Sequence, residues 1–384
     1  MAEQTLEVAE RVAELVHIPS VNPLQAGPKS GDGAEHELSA WFANRAEDLG
    51  AAVTTDAILD QRHNVYAQFP GRTDRVITID VHLDTVGVEH MTDDPFDGRI
   101  EEGRVYGRGS VDTKASLAIV LHLLAELRAD GAQPQPTVNL VGTIGEESGG
   151  LIGAIGYRDW LNANNSHIDQ LIVAEPTLCA PVYAHKGGCG VSISLHGVAA
   201  HSSQPALGQN AISGAARVVA AIDHEQVRLQ QNTPSTPVGN GTVSVVEVEG
   251  GLAQNIIPDH CRLHVDRRIA PGERVGEEFQ RLSGIIKAAA DPLRAEVDIA
   301  DNFAVDAFYQ DPDSPLIAHL GQLGEAKPEV AGYGSNALFY ADIASEIVVF
   351  GPGSIEQAHK AVEWIDLSEI QRATDIYRAL LGVG

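Results

Sequence analysis

The sequence predicts an α/β protein, a mainly parallel sheet with helices on both faces, interrupted by an inserted ferredoxin-like βαββαβ domain. Short apolar, β-branched segments alternate with amphipathic segments long enough for helices, and this alternation is typical of parallel sheets. After Pro181 the pattern changes, and the elements follow the order strand, helix, strand, strand, helix, strand. We therefore predict a first domain that contains residues 1–181 and 298–384 and an inserted domain at residues 182–297.

Local signals mark the ends of the predicted elements. Gly50 and Asp130-Gly131 follow helical segments, as expected of helix C-termini, and a capping box, Asp366-x-x-Glu369, opens the last helix. The predicted helices are residues 1–17, 35–49, 114–128, 154–161, 209–223, 274–290, 315–323 and the segment after 366. The predicted strands are residues 51–55, 64–69, 76–82, 137–143, 170–174, 190–196, 242–248, 261–267, 295–299 and 346–350.

The composition excludes several classes of partner. The 384 residues carry a formal charge of −27, whereas nucleic acids and anionic membranes require a basic surface. No apolar run is long enough to span a membrane, and the acidic start of the chain lacks the pattern of a secretory signal. Cys179, Cys189 and Cys261 cannot form a disulfide framework, which predicts a cytoplasmic location. The acidity is compatible with a salt-adapted source, whereas codon bias explains the preference for arginine over lysine equally well.

Acidic and histidine residues follow the predicted strands at the point where each strand ends. His82 ends one strand, Glu146-Glu147 and Glu175 follow two others, and a Gly-rich turn before a helix carries Asp112. His359 lies between the last strand and the last helix. Because ligands bind at the carboxyl ends of strands in open α/β sheets, these residues predict a metal site.

The predicted ligands are imidazoles and carboxylates without a thiolate, a set that suits zinc, manganese, cobalt or iron. The five of them exceed what one catalytic zinc needs, but they serve two metals if one carboxylate bridges. Asp112 is the natural bridge because it lies on the turn between the two groups. Each residue taken alone has a structural alternative: a structural histidine at His82, a helix cap at Asp112, or a solvated strand end at Glu146-Glu147.

Glu146 and Glu147 cannot both point at one metal from an extended segment. One glutamate can bind, and the free one beside it can take a proton from water and pass it to a leaving amine. Asp84, two residues beyond His82, is placed to orient that imidazole.

Six motifs, distributed over nearly the whole chain, complete the pattern. They are His82-x-Asp84, Gly107-Arg-Gly-x-x-Asp112-x-Lys114, Gly145-Glu146-Glu147, Glu175-Pro176-Thr177, His201-Ser-Ser-x-Pro205 and Gly351-Pro-Gly-x-x-x-x-Ala-His359. At these residues the sequence resembles the co-catalytic di-zinc amidohydrolase family. That family contains acetylornithine deacetylase, succinyl-diaminopimelate desuccinylase, aminoacylase and carboxypeptidase G, and the first of these branches is the most similar.

The resemblance implies a zinc-peptidase-like first domain that holds two divalent metal ions, with zinc expected and cobalt or manganese as alternatives. It implies that Glu146 is the general base and that the peptide bond between Asp112 and Thr113 is cis. The implied ligand groups are His82 with Glu175 and Glu147 with His359, bridged by Asp112.

The inserted domain is implied to act as a lid and to form a homodimer, with His201 reaching the partner subunit's site to hold an oxyanion. Asn255 and Arg268 are implied to bind the substrate carboxylate, which suits the fork of an arginine. The predicted substrate-binding residues also include Asn336 and Gly353.

We therefore expect hydrolysis of an N-acyl amino acid, similar to N-acetylornithine, to a free amino acid and a carboxylate. The alternatives are a desuccinylase for an acyl-diamine, a dipeptidase or a carboxypeptidase. A non-enzymatic binding protein would require a broken ligand set, and this set is complete. One departure weakens the case for ornithine: the chain has Gly334-Ser335-Asn336-Ala337 where the branch often has Gly-Thr-Glu-Ala.

Overall fold

A computed structural model describes residues 2–31, 35–232 and 236–383, and the chain divides into two compact units. The first unit contains Met1–Tyr183, Gln310–Glu329 and Ser335–Gly384, and the second contains Ala184–Tyr309 and Val330–Gly334. We predicted that the chain passes from the first domain to the inserted domain after residue 181 and returns after residue 297. In the structure these two crossings follow Tyr183 and Tyr309, and a short segment of the second unit returns at Val330.

The chain up to Tyr183 supplies most of the first unit. Its elements are α1 (Ala2–Val16), α2 (Glu35–Asp48), β1 (Ala52–Leu59), β2 (Arg62–Phe69), β3 (Val76–His82), β4 (Ile100–Glu101), β5 (Arg104–Tyr106), α3 (Lys114–Ala129), β6 (Thr137–Thr143), α4 (Ile152–Ala163) and β7 (Ile168–Val173).

The middle of the chain supplies the second unit and the segments at its ends. The elements are β8 (Val182–His185), β9 (Gly187–His196), β10 (Ala200–His201), α5 (Ala211–Asn232), β11 (Thr242–Gly250), β12 (Ile256–Ile257), β13 (His260–Ile269), α6 (Val275–Ala290), β14 (Arg294–Val305) and β15 (Phe308–Tyr309). The last part of the chain contains α7 (Pro315–Leu323), β16 (Glu329–Val330), β17 (Ala344–Val349), β18 (Trp364–Asp366) and α8 (Leu367–Leu381).

The sheet of the first unit runs in the order β1-β2-β6-β3-β7-β17. Strands β6, β3, β7 and β17 are parallel to one another, and β1 and β2 add an antiparallel edge. The predicted fold class is therefore confirmed. The parallel strands read as continuous apolar runs because both faces of the sheet are covered.

Helix α3 lies at the centre of the first unit. Its residues from Lys114 to Leu124 are all buried, which explains why its sequence is apolar around most of its circumference. It packs between α1 and α8. The Gly-rich turn that carries Asp112 leads into this helix, so the turn is attached to the most buried helix of the unit.

The second unit contains a sheet with the order β11-β13-β9-β14, in which every neighbouring pair is antiparallel. Helices α5 and α6 cross over this sheet and bury its apolar face. Along the chain the elements follow the order strand, helix, strand, strand, helix, strand. Together with the order of the strands in the sheet, this is the predicted ferredoxin-like arrangement.

The predicted capping box at the start of α8 is wrong. Asp366 is the residue before the helix, but its side chain makes no capping hydrogen bond. Its carboxylate accepts from the guanidinium of Arg104 instead, at 3.1 Å. A charge-assisted hydrogen bond is stronger than one from a neutral backbone N–H, so the arginine takes the carboxylate.

No helix among the described residues is long and apolar enough to cross a membrane.

Candidate metal centre

The carboxyl ends of four parallel strands meet at one edge of the first unit's sheet. His82 ends β3, Glu146 and Glu147 follow β6, and Glu175 follows β7. His359 lies in the loop after β17. Since β6, β3, β7 and β17 are neighbours in the sheet, residues far apart in sequence are brought side by side.

Asp112 lies between two groups of potential ligands. Its Oδ1 is 3.0 Å from Nε2 of His82, and its Oδ2 is 3.3 Å from Nε2 of His359. Glu147 completes the second group, with its Oε2 3.0 Å from Nε2 of His359. Two sets of side chains therefore have ligand atoms within 4.8 Å of one another: His82, Asp112 and Glu175, and Asp112, Glu147 and His359. The predicted grouping places the same residues together, with the same shared carboxylate.

The main chain of Glu146 and Glu147 is held by Asp84. The two backbone N–H groups donate to Oδ1 and Oδ2 of Asp84, each at 3.0 Å. Asn22, which the sequence analysis did not identify, donates to the same carboxylate at 2.8 Å and also to the carbonyl of Ser148. Asp84 and Asn22 are completely buried, so this network fixes the turn that carries both glutamates.

The Asp84 carboxylate makes no hydrogen bond to His82, which Asp84 is predicted to orient. Nδ1 of His82 donates to the main-chain carbonyl of Asp84 at 2.9 Å, whereas the nearest carboxylate oxygen is 3.9 Å away. The carboxylate is already occupied by three N–H donors. The carbonyl nevertheless serves the predicted purpose, because it places the proton on Nδ1 and leaves Nε2 to face Asp112.

The electrostatics of the site are those of crowded, buried carboxylates. Burial and the charges of Glu146 and Asp112 raise the pKa of Glu175, and burial and the charge of Asp112 raise the pKa of Glu147 to about 7. Burial alone would raise the pKa of Asp112, but hydrogen bonds from His359 and His82 lower it below its ordinary value. Hydrogen bonds that His359 donates to the carboxylates of Asp112 and Glu147 raise the pKa of His359 to about 10.

The residues present fit divalent metal ions. Oε1 of Glu175 is buried and has no hydrogen-bond partner among the described residues, which is costly for a carboxylate unless a cation faces it. The imidazole and carboxylate donors suit zinc, cobalt or manganese. Cations placed in the two groups would offset the crowding of negative charge described above.

The peptide bond between Asp112 and Thr113 is cis, as the family resemblance implied. The hydroxyl of Thr113 donates to the carbonyl of His82 at 3.2 Å. This contact joins the Asp112 turn to the end of β3.

The second unit contains three of the predicted site residues, all of them exposed. Strands β10 and β12 pair His201 with Ile256, which places His201 near Asn255. Nδ1 of His201 lies 2.7 Å from the hydroxyl of Ser203. Arg268 lies near the end of β13, and its guanidinium pairs with Asp266 at 2.9 Å. The roles of His201, Asn255 and Arg268 stay predictions.

Asn336 is buried, and its amide nitrogen is fully engaged. Nδ2 donates to Oδ2 of Asp80 at 3.0 Å and to the hydroxyl of Thr143 at 2.9 Å. Gly353 is buried as well and has φ +77°, and a Cβ at this position would clash with the side chain of Val111. The structure thus gives each of these residues a packing or hydrogen-bonding contact, and their predicted roles in substrate binding stay predictions.

Sequence reasoning missed an ion pair behind the metal centre. Arg108 belongs to a quoted motif, but Glu363 carried no prediction. The two side chains form a buried salt bridge, and each is 1% exposed. A buried arginine is tolerated where a carboxylate and further hydrogen bonds compensate its charge, and Glu363 supplies that carboxylate here.

The sequence matches a known family of peptidases. The model of the peptidase family M20/M25/M40 matches residues 78–382. The chain belongs to this family. It is thus a hydrolase that acts on amide bonds, and a non-enzymatic binding protein, already disfavoured by the complete ligand set, is not supported.

Relatives within the M20 family differ in the substrates that their names record. The chain is 28% identical to an acetylornithine deacetylase of Proteus mirabilis over 385 residues, which covers 97% of the chain and 95% of the relative. It is 28% identical to a probable carboxypeptidase of Neosartorya fischeri, over 84% of the chain and 73% of the relative. A tripeptidase of Staphylococcus aureus has the same fold, with a TM-score of 0.79, 19% identity, and coverage of 99% of the chain and 98% of the tripeptidase.

Proposed function

We propose that this enzyme hydrolyses the amide bond of an N-acyl amino acid, similar to N-acetylornithine, at a centre of two divalent metal ions. The observation that carries the proposal is the position of Asp112, which offers one carboxylate oxygen to each of two ligand groups. A shared carboxylate is the arrangement that serves a pair of ions at the separation of a two-metal hydrolase.

His82 and Glu175 would hold one ion, Glu147 and His359 the other, and Asp112 both. Zinc is the expected metal. When bound, the ions supply Lewis-acid chemistry, polarising the amide carbonyl and making water acidic enough to act as a nucleophile.

Glu146 is the proposed general base. It is adjacent to the ligand Glu147, but it belongs to neither ligand group, and its main-chain N–H is held by Asp84. Burial and the charges of Glu147 and Asp84 raise its pKa above the ordinary value. A carboxylate with a raised pKa takes a proton from the attacking water and returns it to the departing amine.

Part of the proposed substrate recognition lies in the second unit. Arg268, with an exposed guanidinium, and Asn255 would bind the α-carboxylate of the substrate. His201 of the neighbouring subunit would support the oxyanion. The name of the Proteus mirabilis relative supports an N-acetylated amino acid, and Asn336 in place of a carboxylate argues against a strict requirement for a cationic side chain.

Peptide hydrolysis is the second candidate. A probable carboxypeptidase and a tripeptidase are among the similar proteins. The amide bond of a peptide presents the same chemistry to a two-metal centre as the amide bond of an N-acyl amino acid. An N-succinyl substrate would likewise keep the scissile amide and change only the acyl group.

Metal analysis and a substrate panel test the proposal together. We expect the purified protein to bind two equivalents of zinc, cobalt or manganese, to lose activity on chelation and to regain it when metal is restored. The panel contains N-acetylornithine, other N-acetyl amino acids, N-succinyl amino acids and dipeptides. Preferential hydrolysis of dipeptides would replace the deacylase proposal with a peptidase, and a metal-loaded protein that cleaves none of these amides would contradict both.

We also propose that the enzyme is a homodimer formed through the second unit. Strand β11 is an edge strand of its sheet and exposes the side chains of Val246 and Val248. An exposed edge strand with apolar side chains is a ready partner for another chain.

A further inference from the structure

Arg108 and Glu363 form a buried ion pair that touches both halves of the proposed metal centre. Arg108 is four residues before Asp112, and Glu363 is four residues after His359. Nη1 of Arg108 pairs with Oε2 of Glu363. Full charges buried at this depth are tolerated only where geometry and further hydrogen bonds compensate them, and both side chains have further bonds.

The remaining oxygen of Glu363 holds the turn that carries Asp112. Oε1 accepts from the backbone N–H groups of Val111, at 3.2 Å, and Asp112, at 3.4 Å. The backbone N–H of Gly107 donates to the main-chain carbonyl of Glu363 at 3.0 Å. The turn is thus attached at three points to the segment that follows His359.

The second terminal nitrogen of Arg108, Nη2, contacts two other segments of the first unit. Nη2 donates to the carbonyl of Lys360, directly after His359, at 3.3 Å, and to the carbonyl of Gly87 at 3.2 Å. One arginine therefore connects the Asp112 turn, the loop after β3 and the His359 loop.

The backbone of the His359 loop has an unusual conformation that its surroundings must stabilise. His359 has φ +61°, a left-handed conformation that is uncommon for a residue with a side chain and persists where the surroundings enforce it. Its side chain is 52% exposed, so packing around the imidazole does not fix its position. The main chain around it is held by the contacts of Lys360 and Glu363 and by His90, whose Nε2 lies 3.2 Å from the main-chain carbonyl of His359.

We propose that Arg108 and Glu363 are positioning residues, which set the distance between Asp112 and His359 and thereby the affinity of the second ion. This inference rests on the proposed metal centre and adds residues outside the ligand set. Groups that orient metal ligands in this way are typically worth a factor of about 10–100 in metal affinity.

The test measures metal affinity, not turnover alone. Apo-protein is titrated with Zn²⁺ in competition with a chromophoric chelator, and with Co²⁺, whose visible spectrum reports the ligand geometry. In Glu363→Gln the amide oxygen still accepts from Val111 and Asp112, but the amide nitrogen faces Arg108. We expect the affinity for the second ion to fall about 10-fold or more and the Co²⁺ spectrum to change.

A second variant, Arg108→Lys, keeps the charge opposite Glu363 and removes the fork that reaches Lys360 and Gly87. It should fold and still lose affinity for the second ion. In the double variant Arg108→Met with Glu363→Gln, no uncompensated charge is buried, so stability should recover relative to Glu363→Gln while the metal affinity stays low. If metal affinity instead recovers together with stability, the pair is merely structural and the inference is overturned.

Glu225→Gln is the matched control. Glu225 is also a buried carboxylate with arginine partners, but it lies in the second unit, on α5. This variant should lose stability and keep the metal affinity of the wild type. A wild-type protein that binds no metal would contradict the proposed metal centre. One that binds two ions without hydrolysing any amide would contradict only the reaction, and the effect of Glu363→Gln on affinity could still be measured.

Discussion

Glu146 and Glu147 are adjacent in the sequence, but only one of them contacts a predicted ligand. Glu147 contacts His359, whereas Glu146 belongs to neither ligand group and its backbone N–H donates to Asp84. The turn is fixed by Asp84 through both N–H groups, which keeps the two side chains in separate positions. The difference between them is therefore testable by parallel substitutions.

Glu146→Ala should leave the metal content intact and lower kcat by about 10²–10⁴-fold, the usual contribution of a general base. Glu147→Ala should lower the metal content itself, since it removes a ligand. Both variants are compared by metal quantification and by kcat at saturating substrate. A Glu146→Ala protein that keeps most of its rate would show that another group takes the proton.

Asn336 gives a second prediction at this scale. Its amide donates to Asp80 and Thr143 inside the first unit, so Asn336→Ala leaves buried acceptors unsatisfied. We expect a loss of about 1–3 kcal/mol in the free energy of unfolding, measured by chemical denaturation. Unchanged stability with a raised KM would instead support the predicted role of Asn336 in substrate binding.

At the scale of elements, the helices of the second unit are joined by an ion cluster. Glu225 on α5 pairs with Arg228 at 2.8 Å and with Arg281 on α6 at 2.5 Å. Arg281 also pairs with Glu278 at 2.6 Å. The sequence analysis predicted that α5 ends at residue 223, but the helix continues to Asn232 because Glu225 and Leu229 are buried on its inner face.

Glu225→Gln should make the second unit less stable at neutral pH. Burial alone would raise the pKa of Glu225, but hydrogen bonds from Arg228 and Arg281 lower it from an ordinary 4.5 to about 2. The folded state thus binds fewer protons than the unfolded state between these values, so the carboxylate contributes stability above pH 4.5 and loses it as the pH falls towards 2. We expect a loss of about 1 kcal/mol at pH 7, since both arginines stay partly hydrated.

The difference in stability between Glu225→Gln and the wild type should shrink as the pH falls below the ordinary pKa of a glutamate, 4.5. Denaturation followed by far-UV circular dichroism reports both units. Fluorescence reports the first unit, because Trp41, Trp160 and Trp364 all belong to it. A difference that is independent of pH would show that the ion cluster does not act through the charge of Glu225.

At the scale of the whole molecule, the proposed dimer makes the second unit part of the reaction. His201 is exposed and belongs to the second unit, while the ligand groups belong to the first. If His201 acts in the partner subunit's site, activity requires association.

Val248→Lys on β11 should convert the dimer to a monomer and lower kcat, because a lysine on an edge strand opposes pairing with another chain. Ile299→Lys is the control, since Ile299 is exposed on β14, the opposite edge strand of the same sheet. Light scattering after size-exclusion chromatography measures the mass. A Val248→Lys protein that stays dimeric would place the interface elsewhere, and a monomeric wild type would contradict the proposal.

The sequence by itself determined the fold class and the ferredoxin-like unit, and it placed the predicted ligands at the strand ends; their division into two groups around Asp112 was implied by the family resemblance. The fold class and the position of the ligands depend on hydrophobic periodicity and on the rule that parallel strands end at one edge of a sheet, and both can be read along the chain. The sequence analysis placed the C-terminal ends of α5 and β14 too early. The last turns of α5 and the last residues of β14 are fixed by contacts with other elements.

Only the tertiary structure decided which donor meets which acceptor. It assigned the Asp84 carboxylate to the backbone of Glu146 and Glu147, and it replaced the predicted cap at Asp366 by an ion pair with Arg104. It also revealed that Glu363 partners Arg108 across more than two hundred residues of chain. A polar side chain takes whichever strong partner the folded chain brings within about 3 Å, and separation along the sequence carries no information about that distance.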